Sequence, residues 1–245
     1  MELIVVNSNS SGNAYALVSA EGEILLLEAG CKMADVKRCI NYRIQDVVGC
    51  LLTHCHGDHA KYATEYAKFG VEVYGPKDIE EKKSFPFGKY HIPMLERTKH
   101  IGGFDVVPFH NFHDVEIYGY MMRHKEMGTM IFSTDTYKMG LYVSGVDHYL
   151  IEANYSDTLL KDNVWNGNIN KAQADRIMLS HMSLDYTVKY LMECKAENAK
   201  TITLCHLSER NSDPKEFKAT VESAFGIPCS IATKGLVVEL NKDVI

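Results

Sequence analysis

At 245 residues, with 46% hydrophobic and 24% charged side chains, the chain is long enough for one sizeable α/β domain and too apolar for disorder. The net charge of −6 excludes a broad electrostatic attraction to nucleic acid, so a large polyanion would have to be gripped by a local basic patch or by bound metal. Seven scattered cysteines with no C-x-x-C pair exclude a disulfide framework and read as free thiols. The N-terminus lacks the pattern of a signal peptide, and no apolar run approaches the roughly 20 residues of a spanning helix. A cytoplasmic protein without membrane contact is expected.

The first third reads as strands. Leu3–Val6 is a short apolar run, and Tyr15–Ser19 and Ile24–Glu28 flank a Glu21-Gly22 turn that predicts a hairpin. Asp46–Thr53 is almost continuously apolar, as in a strand covered on both faces, and stops at His54. A helical stretch to about Phe69 and a short strand at Val71–Tyr74 follow. Residues 77–103 mix charge with proline, glycine and aromatics and predict a helix plus an insertion loop. Strand character returns from Asp105, continues through 114–124 and 129–135 around a turn at 126–128, and recurs at His148–Glu152. Helices are predicted over Asn170–Ser180 and Ser183–Cys194, with Ser183 as cap. A buried strand at Thr201–Cys205, a helix over Asp213–Phe225 and a hairpin across Lys234-Gly235 complete the chain. Strands first, then strand–helix alternation in each half, predict one domain over residues 1–245 with two mixed β-sheets between helices, αββα.

The chemistry concentrates in His54-Cys55-His56-Gly57-Asp58-His59, four potential metal ligands in six residues directly after a buried strand. Imidazoles at i and i+2 of an extended chain point to one side and suit one ion. The chain then turns at Gly57, so Asp58 and His59 can face a second ion.

This His-x-His-x-Asp-His run resembles the signature of the metallo-β-lactamase superfamily, and further motifs follow in order over nearly the whole chain. His113 in FHNFHDVEIYGY looks like the third histidine of the first site; His110 competes with it, and the following Asp114 matches the superfamily's His-Asp and favours His113. Asp135 in IFSTDTY resembles the bridging aspartate, and His206 in TLCHLSERN the last histidine. The resemblance therefore implies two divalent metal ions, one on His54, His56 and His113, the other on Asp58, His59 and His206, with Asp135 shared. Mixed imidazole and carboxylate donors suit zinc, with manganese or iron(II) also compatible. An aspartate at the bridge disfavours the penicillin-cleaving branch, which has a cysteine there. The remaining histidines, His91, His100, His124 and His148, read as surface or core residues.

Within the superfamily, His181 in LSHMSLDYTV resembles the histidine of RNase Z-type phosphodiesterases that protonates the leaving oxygen or contacts the phosphate, and Glu152 in YLIEANY stands where that family's orienting glutamate does. A carboxylate–imidazole pair favours the charged ring needed to protonate an alkoxide. SNSSGNAYAL, LLLEAG and HLSERN together resemble the small single-domain exonucleases of the WalJ/YycJ type. Three departures stand out: Glu28 replaces the usual aspartate, Leu184 replaces the asparagine of His-Leu-Ser-Asn, and the charge is acidic, with only scattered basic residues such as Lys61, Arg123, Lys125 and Arg210. The expected function is a dinuclear phosphodiesterase, a nuclease on single-stranded DNA or RNA, with Asp58, His181 and Glu152 as catalytic residues. A small phosphodiester such as a cyclic nucleotide, a thioester or lactone, and a non-catalytic binding role are the rival readings. The resemblance also implies pairing into homodimers.

Overall fold

Period-two alternation along the first strands sets the layers. In β1 (Glu2–Asn9), β2 (Gly12–Val18) and β3 (Ile24–Leu27), one face carries Leu3, Val5, Tyr15, Leu17, Leu25 and Leu27, and the other carries Ile4, Val6, Ala14, Ala16, Ile24 and Leu26. Both faces are apolar because both are covered. The computed structural model describes residues 1–242 and shows what covers them.

The first sheet continues through β4 (Val47–Leu51), β5 (Val73–Tyr74) and β6 (Tyr90–His91). The second runs through β7 (Lys99–Ile101), β8 (Phe104–His110), β9 (Tyr118–His124), β10 (Gly128–Ser133), β11 (His148–Glu152), β12 (Thr201–Cys205) and β13 (Cys229–Ile231). A last strand, β14 (Val237–Glu239), returns to the first sheet beside β1, so each sheet has seven strands. Each is mixed: antiparallel from β14 to β3 and from β7 to β10, parallel beyond.

The inner faces pack on one another through Leu25, Leu51, Phe104, Tyr120, Phe132 and Leu150. Helices α1 (Met33–Cys39), α2 (Gly57–Ala60), α3 (Ala63–Lys68) and α4 (Lys77–Lys82) cover the outer face of the first sheet. α7 (Leu184–Glu193) and α8 (Pro214–Phe225) cover the second, burying Leu191, Phe217 and Val221. Between them in the chain, α5 (Asp157–Trp165) and α6 (Lys171–Ser180) form a small core of their own around Tyr155, Leu160 and Ala174. The expected αββα sandwich is the observed one.

Two local expectations need correction. Residues 77–103 are not a helix plus a loop: after α4 they supply the edge strands β6 and β7, too short at two and three residues to show a period. The ending is no hairpin, because β13 pairs with β12 and β14 with β1, the turn at Lys234-Gly235 carrying the chain between sheets. Two helices, α1 and α5, carried no expectation at all; α5 buries only Leu160 and so presents no apolar stripe. Ser183 caps α7 as expected, its hydroxyl accepting from the Tyr186 amide at 3.2 Å. All seven cysteines are free, and no helix among the described residues is long and apolar enough to cross a membrane.

Candidate metal centre and active site

The site lies where strand ends of both sheets meet. β3, β4, β8, β10, β11 and β12 run in one sense within their sheets, and past their C-terminal ends stand Glu28, His54, His113, Asp135, Glu152 and His206. Two bonds clamp the sheets together beside this edge: the Tyr120 hydroxyl donates to the Leu52 carbonyl at 2.7 Å, and the Tyr118 amide to the Thr53 carbonyl at 2.9 Å. Gly30, in the loop after β3, lies so close to the metal loop that a Cβ there would collide with the Asp58 carbonyl. Ligands held on strand ends in this way are fixed more firmly than ligands on free loops.

The side chains form two groups that could each hold a metal ion: His54, His56, His113 and Asp135, and Asp58, His59, Asp135 and His206. His110 ends β8 exposed, and His113 instead joins the first group.

Hydrogen bonding shows which ring atoms have lone pairs to offer. His113 Nδ1 lies 3.1 Å from the Ser180 carbonyl, which can only accept, so the proton is on Nδ1 and the Nε2 lone pair faces His56 Nδ1 at 3.3 Å. The Thr53 hydroxyl donates to Glu28 at 2.5 Å and accepts from His54 Nδ1 at 2.9 Å, which leaves His54 Nε2 unprotonated, buried and without a partner. Burial first, then the neighbouring His59, holds the His54 ring well below its ordinary pKa and so keeps it neutral. Converging lone pairs with nothing between them repel; a divalent cation among them resolves the conflict, and the donor set fits one.

The second group is charged. Asp58 Oδ2 is 3.2 Å from His59 Nε2 and 3.4 Å from His206 Nε2. Asp135 Oδ2 lies 3.3 Å from His59 Nε2 and 3.7 Å from His54 Nε2, touching both groups with one carboxylate. Burial works against the Asp135 charge, yet His206 and His59 outweigh it and hold the carboxyl well below the usual range. Asp135 and His206 adopt positive φ angles, 49° and 54°, uncommon for these residues. Such backbone strain concentrates at functional sites.

Beside the metal groups, His181 Nδ1 and Glu152 Oε1 stand 2.8 Å apart. Glu152 is fully buried, bonded also by the Thr136 and Met182 amides and by His206 Nδ1 at 3.1 Å. Burial disfavours the charged His181 ring, but the Glu152 carboxylate outweighs it and raises the pKa above the ordinary value. His181 Nε2 is then the free donor, on a ring lining a cavity of about 360 Å3 with His56, His113, Asp135 and His206.

Several supporting residues escaped the sequence reading. Asn13 Nδ2 is 3.2 Å from His59 Nε2 and 3.4 Å from Asp58, and Asn154 Nδ2 donates to the His206 carbonyl at 2.8 Å. Arg176 of α6 faces the metal cavity. Thr53 had the clearest available signal: a hydroxyl ending a buried strand needs a partner, and the next residue is a candidate ligand. Glu28 meets Thr53 and stands 3.4 Å from His59 Nδ1, so it supports histidines of both groups. Thr53→Val is expected to weaken metal affinity by about 10- to 100-fold with the fold retained. Chelator competition measures this, and unchanged affinity would remove Thr53 from the account.

No family model matches the chain. The metallo-β-lactamase fold protein YhfI of Bacillus subtilis superposes with a TM-score of 0.75 at 16% identity, covering 97% of this chain and 99% of YhfI. The chain has the metallo-β-lactamase fold. Human tRNase Z, short form, shares this metallo-β-lactamase fold with a TM-score of 0.65 at 16% identity, over 98% of this chain and 99% of that one. In sequence, the exodeoxyribonuclease WalJ of Streptococcus pneumoniae is 28% identical over 225 residues, spanning 85% of this chain and 82% of WalJ. It is a distant relative of this metallo-β-lactamase-fold protein.

Proposed function

We propose that the protein is a cytoplasmic, dinuclear metal-dependent phosphodiesterase, a nuclease that cleaves phosphodiester bonds in single-stranded DNA or RNA in the manner of an exonuclease. The observation that carries the reading is the buried Glu152–His181 pair beside the two groups of metal-ligand type. The exonuclease activity in the name of the distant relative WalJ supports the substrate class.

Under this reading His54, His56 and His113 hold one ion, Asp58, His59 and His206 the other, and Asp135 both. Two divalent cations, zinc by donor chemistry, supply Lewis acidity and a water that loses its proton near neutral pH. Asp58, 23% exposed at the cavity, orients the attacking water. Glu152 fixes the His181 tautomer and holds the ring protonated, and Nε2–H passes its proton to the departing alkoxide. A thioester or lactone hydrolase would have no use for this pair.

The pH dependence follows from the sign of the shift. With its pKa raised, His181 keeps its proton through neutrality and loses it as pH rises through that value, so kcat for an alkoxide-releasing substrate declines on an alkaline limb. In Glu152→Gln the pull is gone while burial persists, and the limb moves to below about pH 6.5. Profiles of kcat at equal metal content check this; an unmoved limb would separate His181 from the proton transfer.

The substrate class is tested by offering metal-loaded protein labelled single-stranded oligonucleotides, cyclic mononucleotides and, as control, the β-lactam nitrocefin. Shortening of the oligonucleotides supports the reading. Hydrolysis of cyclic mononucleotides alone would replace it with the small-substrate alternative, with which the net charge of −6 agrees.

A further inference from the structure

The metal cavity does not end at the ligands. A second cavity of about 340 Å3 adjoins it, and Ser10, Gln173, Ile177, His181 and His206 line both. Its size lies at the lower end of small-molecule sites, roughly 300–1,000 Å3. Its walls change character away from the metals: Ile169, Ile177 and Leu207 give an apolar surface, and Arg210 with Glu209 stands on the rim.

The rim is built rather than loose. Asn163 of α5 donates to the Arg210 carbonyl at 2.8 Å, the Ser156 amide donates to the buried Asn211 carbonyl at 2.8 Å, and Ser212 closes back on the Ser208 carbonyl at 2.6 Å. The backbone is pinned on both sides of Arg210, while its exposed guanidinium has no hydrogen bond or ion pair among the described residues. A fixed backbone presenting a free guanidinium suits an oxyanion with several acceptors, for which arginine offers a fork of donors.

We propose that this second cavity is a subsite for one nucleotide residue flanking the scissile phosphate, its base against Ile169, Ile177 and Leu207 and its far phosphate on Arg210. The inference rests on the phosphodiesterase reading and adds to it a specificity-determining residue. Because His181 lines both cavities, the bond whose oxygen it protonates lies at their junction, with one side of the diester in each. An apolar wall flanked by a cation complements a nucleotide's flat base and its charge. It also offsets an acidic chain locally, where charge of the right sign counts most.

The test compares kcat/KM of metal-loaded protein on a thymidine dinucleotide without a terminal phosphate, with a 5′-phosphate and with a 3′-phosphate. Bis-p-nitrophenyl phosphate is run beside them. The wild type is expected to prefer one phosphorylated form about 10-fold, and Arg210→Ala to lose that preference, with a shallower salt dependence of KM. Arg210 is exposed and unpaired, so the variant is expected to fold, as circular dichroism can verify. Hydrolysis of bis-p-nitrophenyl phosphate with no preference for either phosphorylated dinucleotide overturns the subsite alone. A preference that survives in Arg210→Ala overturns the assignment to Arg210. Failure on every diester with metal bound overturns the phosphodiesterase reading and the subsite with it.

Discussion

Asp135→Asn is expected to lower phosphodiester hydrolysis by at least about 1,000-fold and to reduce bound metal below two ions per chain. The size follows from the loss of metal-derived charge stabilisation, several kcal/mol at about 1.4 kcal/mol per tenfold in rate. Asp135 is the one side chain common to both ligand groups, within 3.7 Å of His54 Nε2 and 3.3 Å of His59 Nε2. An amide keeps the shape but gives up the negative charge that draws two cations together. Asparagine also tolerates the positive φ of 49° at this position, so the backbone is not asked to change. Metal analysis and kcat on the same preparation check the result; two ions retained with full activity would break the bridging assignment.

His181→Ala has the second-largest effect, and its dependence on the leaving group separates a proton donor from a structural residue. On a dinucleotide, whose leaving group is an alkoxide, kcat is expected to fall about 100- to 10,000-fold, the usual range for general acid catalysis. On bis-p-nitrophenyl phosphate, whose aryl oxide departs without a proton, the loss is expected to be much smaller. His181 ends α6 with its amide bonded to the Ile177 carbonyl, a bond that alanine keeps. Equal losses on both substrates would point to disruption of the cavity and sink the proton-transfer role.

Much of the centre was legible because its chemistry is local in sequence. The run His54-Cys55-His56-Gly57-Asp58-His59 places four donors beside a strand whose buried pattern could be read directly. Asp135, Glu152 and His206 were reachable for a related reason: each follows or ends an apolar run, and the ends of parallel strands gather at one edge. Residues that act across the fold were harder. Asn13 lies 45 positions from Asp58, and nothing near it signals a partner. Arg176 reaches the cavity only because α5 and α6 pack as a separate pair, whose sparse burial leaves little periodicity to read.

The errors in the fold have a physical cause of the same kind. Apolar alternation reports that a strand is covered and is silent about which sheet it joins. β13 and β14, separated by a turn, looked like a hairpin and belong to opposite sheets. β6 and β7 are shorter than the window in which alternation can be counted, and each lies at a sheet edge where fewer neighbours constrain the sequence.

The most direct test of the account is a metal titration of the stripped protein, reading bound ions per chain and hydrolysis of bis-p-nitrophenyl phosphate together. The account predicts binding that saturates at two ions per chain, with activity rising to its maximum as the second site fills. Two bound ions with no phosphodiester hydrolysis would contradict it, and would leave the fold and its metal centre serving a different bond.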